Sequence, residues 1–178
     1  AKCYDREIYI MIQLNNKVLR LVKFNTITKE SKIVFETSSK LSKGPGDFEI
    51  FDDFVLYTDS SNYGSSSYPF YKYNLKDNTI QSVSFGTDSN YCLAAYGKIA
   101  RLNDDEVVML TSYYLVIYNA TTNSNRKYTI SSSRSSHTDF AIGNKYIAIV
   151  GSYQTMHLFN RETLKFTTVN LPDSTQTA

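Results

Sequence analysis

This 178-residue sequence predicts an all-β fold: a β-propeller of about four four-stranded antiparallel blades, or a four-blade portion of a larger propeller. Three observations predict it. An aromatic residue followed by asparagine occurs at Phe24-Asn25, Tyr73-Asn74, Tyr118-Asn119 and Phe159-Asn160, in steps of 49, 45 and 41 residues. Self-similarity at a period of ~40–50 residues is the mark of propeller blades. Each pair closes an apolar stretch and is followed by a polar turn and a second β-like stretch. No segment sustains the i, i+3, i+4, i+7 apolar spacing of an amphipathic helix, and short apolar runs between polar turns suit consecutive antiparallel strands.

The strands follow in order. In the first repeat, EIYIMIQ (7–13), VLRLVKFN (18–25) and SKIVFET (31–37) supply three strands, with Asn15-Asn16 as a turn and the innermost strand missing. The second repeat is complete, with DFEIF (47–51), FVLYTD (54–59), FYKYN (70–74) and TIQSVSF (79–85). The third holds KIARL (98–102), VVMLTS (107–112), YYLVIYN (113–119) and RKYTI (126–130), with YCLAAYG (91–97) before it either extending the first strand or padding the blade junction. The fourth holds TDFAIGN (138–144), KYIAIVGS (145–152), TMHLFN (155–160) and KFTTVNL (165–171). Its Gly143-Asn144 pair suits a turn that takes positive φ. The chain thus reads as one propeller over 1–178, with blades near 3–37, 47–85, 98–130 and 138–171. The missing strand and the poor tail PDSTQTA favour a larger ring whose other blades lie outside this chain or on a second chain.

Composition agrees with strand. Fifteen Tyr and ten Phe favour pleated, half-buried surfaces. Seven Gly and three Pro leave most turns to Asn, Asp and Ser. A net charge of +2 does not suit a nucleic-acid surface, which carries a strong basic excess or cluster. No apolar run reaches the ~20 residues of a membrane span. The opening AKCYDREIYI has no apolar signal-peptide core. Cys3 and Cys92 are too few for a disulfide framework and read as small apolar residues. Both features lean towards an intracellular setting, and a start almost inside a strand suggests a fragment. Asn119-Ala120-Thr121 matches a glycosylation sequon, a triplet that also arises by chance.

The hairpins YKYNLKDNTIQSVSF and HLFNRETLKFTTVNL resemble kelch repeats, in which an aromatic–Asp/Asn pair ends one strand and a short Thr-bearing turn precedes the next. The resemblance spans all four repeats. The family's Gly-Gly in the second strand is absent, with Val150-Gly151 its best remnant. Its Trp in the last strand is absent too, with Val34, Val83, Tyr128 or Phe166 near that place. The resemblance implies a propeller that serves as a binding module. In the residues themselves, the aromatic can pack between blades, and the asparagine can cap the turn or visit the left-handed region.

Blade topology gathers the long connections at one end: 38–46, 60–69, 86–90, 131–137 and 152–155, with Asn15-Asn16. Rigid scaffolds carry binding residues on such loops, and Tyr with Ser, Gly and Asn is adaptable contact chemistry. The candidate binding residues are therefore Lys40, Lys43, Tyr63, Tyr68, Asn90, Arg134, His137 and Tyr153. The expected partner is a protein or peptide, with a carbohydrate or cell surface as the alternative. Enzyme signals are weak. His157 sits in a strand. His137 beside Asp139 makes no triad by sequence proximity alone. Asp47, Arg101 and Asp139 at the starts of inner strands are too mixed for catalysis. Asp52-Asp53 and Asp104-Asp105-Glu106 suit turns better than calcium, which takes ~6–8 oxygen ligands. No catalytic residue, metal or cofactor is expected.

Overall fold

A computed structural model describes residues 1–15, 17–38, 44–59, 70–83, 98–111, 113–130, 137–151 and 155–171. Among the described residues, sixteen strands form four antiparallel sheets. The first holds β1 (Lys2–Tyr4), β2 (Glu7–Gln13), β3 (Val18–Asn25) and β4 (Ser31–Ser38). The second holds β5 (Pro45–Ile50), β6 (Phe54–Asp59), β7 (Phe70–Asn74) and β8 (Ile80–Val83). The third holds β9 (Ile99–Arg101), β10 (Glu106–Leu110), β11 (Tyr114–Asn119) and β12 (Ser124–Thr129). The fourth holds β13 (His137–Ile142), β14 (Tyr146–Gly151), β15 (Thr155–Asn160) and β16 (Lys165–Asn170). Strands pair in chain order within every sheet, which is the layout of a propeller blade. Among the described residues there is no helix, and so none long and apolar enough to cross a membrane.

Two sequence expectations are corrected. The first repeat does have its innermost strand: Lys2, Cys3 and Tyr4 pair with Tyr9, Ile8 and Glu7. Three residues before Asp5-Arg6 are too short and polar to read as a strand; Asp5, at φ 53, makes the tight turn that lets them pair. Neither Gly143 nor Asn144 takes positive φ. Their turn is closed by the Gly143 N–H donating to the Tyr146 carbonyl at 2.8 Å and by Arg161, which donates to both carbonyls at 2.9 and 3.0 Å. YCLAAYG (91–97) lies outside the described residues.

The aromatic–asparagine pair builds the same turn four times. The asparagine Oδ1 accepts backbone N–H groups two and three residues on: Ile27 and Thr28 for Asn25, Thr121 and Thr122 for Asn119, Glu162 and Thr163 for Asn160. Asn74 accepts from Lys76 at 2.9 Å. The residue four beyond each asparagine is left-handed: Lys29 (φ 64), Asn78 (φ 58), Asn123 (φ 54) and Leu164 (φ 58). The residue just after each asparagine then donates its N–H across the sheet, to the turn between the first two strands. The four bonds are Thr26 to Arg6, Leu75 to Asp53, Ala120 to Asp105 and Arg161 to Lys145, at 2.8–3.0 Å. Both hairpins of a blade are therefore locked together at one end.

The described chain forms two compact units, one holding the first and second sheets, the other the third and fourth. Each sheet has a front face and a back face, separated by the strand's period of two. In the first unit, the back face of sheet one (Met11, Leu19, Leu21, Phe35) packs on the front face of sheet two (Phe48, Val55, Tyr57, Tyr71, Tyr73). In the second, Val108, Leu110, Leu115 and Ile117 of sheet three pack on Phe140, Ile147, Ile149 and Phe159 of sheet four. Two of the four paired aromatics sit between blades: Tyr73 stacks on Phe35 of sheet one at 4.1 Å, and Phe159 lies 4.7 Å from Tyr128 of sheet three.

The turn gives a two-part test. Asn160→Ala leaves two turn N–H groups without their acceptor and is expected to lower stability by about 1–2 kcal/mol. Leu164→Gly removes a left-handed, exposed leucine and should raise it by about 0.5–1 kcal/mol. Urea titration reads both, and a destabilised Leu164→Gly would contradict the turn geometry.

Candidate functional site

Consecutive antiparallel pairing sorts the connections of each sheet by end. One end carries the short turns just described. The other carries 39–44 between β4 and β5, 60–69 between β6 and β7, 84–98 between β8 and β9, 130–136 between β12 and β13, and 152–154 between β14 and β15. The loop-bearing end of each sheet is a candidate site. Of the eight residues expected there, Lys40, Lys43, Tyr63, Tyr68, Asn90, Arg134 and Tyr153 lie outside the described residues, as does Cys92. His137 is described by its backbone: it is the first residue of β13, opposite Gly151, and not part of a loop.

What is described at this end is the rim that holds the loops. Gly44, at φ 127, makes a bend before Pro45 that other residues adopt only with strain. A bulge follows between Pro45 and Phe48. Thr58, fully buried, fixes it by accepting the Asp47 N–H at 3.0 Å. In the third sheet the buried Thr111 accepts the N–H of Tyr114 at 2.9 Å and closes the β10–β11 turn. Tyr57 and Tyr71 stack at 5.2 Å one residue pair in from the rim. Burial, then the neighbouring Tyr71 and Tyr73, push the Tyr57 phenol well above its ordinary range.

Charged side chains join the first strands of neighbouring sheets, from Asp47 near the rim down to Tyr4 and Glu49 beside the short turns in the first unit, and at Lys98 and Asp139 near the rim in the second. Lys2 donates to Glu49 Oε1 at 2.9 Å and pairs with Asp47 at 3.2 Å, and Tyr4 donates to Glu49 Oε2 at 2.5 Å. Glu49 is nearly buried (6 % exposed) and Lys2 is 22 % exposed. Burial works against the Lys2 ammonium, but its hydrogen bond to Glu49 and the attraction of Glu49 and Asp47 outweigh this and raise its pKa. In the second unit Lys98 donates to Asp139 Oδ1 at 2.5 Å and to the Phe140 carbonyl at 2.8 Å. Its hydrogen bond holds the Asp139 carboxyl below the usual carboxylate range. Asp47 and Asp139 each also cap the next backbone N–H, of Phe48 and Phe140.

These seams were not expected from sequence. The signal available was the repeated Asp-Phe-x-Ile at 47–50 and 139–142. Several of the residues considered for catalysis or calcium have partners. Arg101 pairs with Asp104, Glu106 with Arg126, Asp53 with Lys76, and Asp105 accepts from Thr121. His157 lies 3.0 Å from Thr168 Oγ1, and burial lowers its pKa. Among the described residues no three His, Cys, Asp or Glu side chains converge as metal ligands. Cys3, expected to behave as a small apolar residue, is an exposed free thiol. A shallow concavity of about 630 Å³ lies at the opposite, short-turn end of sheet one, lined by Glu7, Lys23, Asn25, Thr28, Glu30 and Lys32. Glu7 and Lys23 pair with each other there.

No protein-family model matches the chain, and no curated protein matches it. Among solved structures it is similar to the crystal structure of the N-terminal domain of Nup159, a β-propeller, with a TM-score of 0.57 and 12 % identity. The match covers 93 % of this chain and 45 % of that one. The fold is a β-propeller fold, and the chain spans less than half the length of that structure.

The two seams differ in burial and so in expected worth. Lys2→Met strands the nearly buried Glu49 and is expected to lower stability by about 2–3 kcal/mol. Lys98 is 37 % and Asp139 60 % exposed, so Lys98→Met is expected to cost under about 1 kcal/mol. Equal losses in denaturant titration would overturn this ordering. The Asp139 contribution has a sign in pH. A carboxyl whose folded pKa is depressed stabilises above its unfolded pKa, near 4, and the gain fades as pH falls through the folded value. The deficit of Lys98→Met is therefore expected at pH 7 and should shrink as thermal melts are taken from pH 4 downward.

Proposed function

We propose that this chain is a non-catalytic β-propeller scaffold that docks a protein or peptide on the loop-bearing ends of its blades, with 1–178 belonging to one propeller. The observation that carries the reading is the unequal construction of the two ends. At one end every hairpin closes in a short turn whose asparagine and backbone groups are spent on each other, leaving little to recognise a partner. At the other, a rim held by Thr58, Thr111 and the Lys98–Asp139 pair supports long connections rich in Tyr, Ser and Asn. Rigid scaffold and variable loops are the usual division of labour in binding domains. The kelch-like hairpins support the same reading. Asp47 and Asp139, which a catalytic reading would use, are engaged by Lys2 and Lys98.

Peptide-display selection against the chain tests it. Tyr63→Ala and Arg134→Ala are each expected to weaken the selected binders tenfold or more without lowering the melting temperature. Binders indifferent to both substitutions, or recovery on a glycan array in place of the peptide library, would reject the peptide-docking reading.

A further inference from the structure

The front face of the first sheet is an open apolar surface. Ile8, Ile10 and Ile12 of β2 stand beside Val22 and Phe24 of β3 and Ile33 of β4. The register places Ile8 opposite Phe24, and Ile10, Val22 and Ile33 in one row across three strands. Ile10 is 42 % and Ile33 48 % exposed. A contiguous apolar sheet face open to water marks an interaction surface.

The kind of surface that fits it is written twice in this chain. The front face of sheet two, with the same alternation, is seated on the back face of sheet one; the front face of sheet four is seated on the back face of sheet three. The front face of sheet one therefore calls for the back face of another blade. The fourth sheet carries such a face. The register puts Ala148 beside Leu158 and Val150 beside Met156 and Val169, with Tyr146 at the edge. Tyr146 is exposed, and Ala148, Val150, Met156, Leu158 and Val169 are half-buried. One chain thus holds an open front face and an apolar, partly open back face of the complementary kind.

We propose that a second copy of this chain covers the first sheet: the fourth sheet of each copy packs on the first sheet of the other, closing one ring from two chains. Two such contacts are related by a two-fold axis, so the assembly stops at a dimer and does not grow into a filament. The size is right. One chain covers 45 % of the propeller it resembles, so two copies supply nearly the chain length of that propeller. This inference rests on the fold and not on the peptide-docking reading.

Sedimentation velocity of the 178-residue chain over a range of concentrations is the test. The expected mass is twice the 20.3 kDa of the chain. Ile10→Lys on one face and Leu158→Lys on the other should each give monomers with the circular dichroism of the parent; Tyr146→Glu is the milder variant should Leu158→Lys unfold. Mixing Ile10→Lys with Leu158→Lys should restore dimer, because one of the two contacts is then of parental sequence. Ile27→Lys, on an exposed turn of the same sheet, should change nothing. A parental chain that stays at 20.3 kDa would overturn the proposal and leave the face to blades of another polypeptide. So would a series of larger oligomers, or a dimer broken by Ile10→Lys but not by the fourth-sheet variants, since that is a contact of first sheet on first sheet. Loss of dimer does not bear on peptide binding, which is read separately through Tyr63 and Arg134.

Discussion

Each blade depends on one hydrogen-bonded knot. An asparagine at the end of the third strand accepts the N–H groups of its own turn, and the next residue donates its N–H to the turn between the first two strands. A β-hairpin alone is marginal in water, and a sheet of several strands needs its hairpins held in one register. The knot does this at one end of the sheet, where strands three and four meet strands one and two. It also explains the left-handed residue four places on. The chain must reverse within five residues while the asparagine side chain occupies the inside of the turn, and positive φ at Lys29, Asn78, Asn123 and Leu164 completes the reversal. Asn78 and Asn123 relieve the strain in two ways: asparagine tolerates this region, and each side chain accepts a hydrogen bond from the tyrosine of its pair, Tyr73 or Tyr118.

The knot also sets which residues face the neighbour. With the asparagine fixed in the turn, the aromatic before it points to the front face, at Tyr73 and Phe159 alike, and meets an aromatic of the preceding sheet. Every second residue along the strand follows. The apolar residues of the second strand then alternate between front and back, as Val55 and Tyr57 against Leu56 show. Burial of each large side chain is worth roughly 1.5–3 kcal/mol, so a shift by one residue would exchange both faces and lose most of the core. Local turn chemistry and inter-blade packing thus enforce one register between them.

Much of this was legible because it is local. The aromatic–asparagine pairs, the turns after them and the strands of the second and fourth repeats follow from residues within a dozen positions of each other. β1 was not legible, since Lys2, Cys3 and Tyr4 pair only because Asp5 accepts a strained φ. The Gly143-Asn144 turn misled for the opposite reason: its residues permit positive φ, but Arg161, eighteen residues on, closes the turn without it. The seams are the clearest case. Lys2 meets Glu49 across 47 residues and Lys98 meets Asp139 across 41. No period or propensity brings those charges together; sheet-on-sheet packing does. In sequence they read as ordinary surface charge. At the loop-bearing end, position in the topology was legible and chemistry was not, because the loops carry residue types without a fixed spacing.

The division between the two ends has a thermodynamic logic. Residues that hold the blades sit in turns and seams, where a lost hydrogen bond or ion partner is felt by the whole sheet. Glu49 is an example. Its carboxylate is held by Lys2 and Tyr4 of the preceding sheet, with almost no water, one residue pair from the short turn between β5 and β6. A carboxylate so placed has two strong donors and little capacity left to act on a ligand. It pins the first strand of one blade to the first strand of the next, so the seating of one sheet on the other is set by groups already spent on each other.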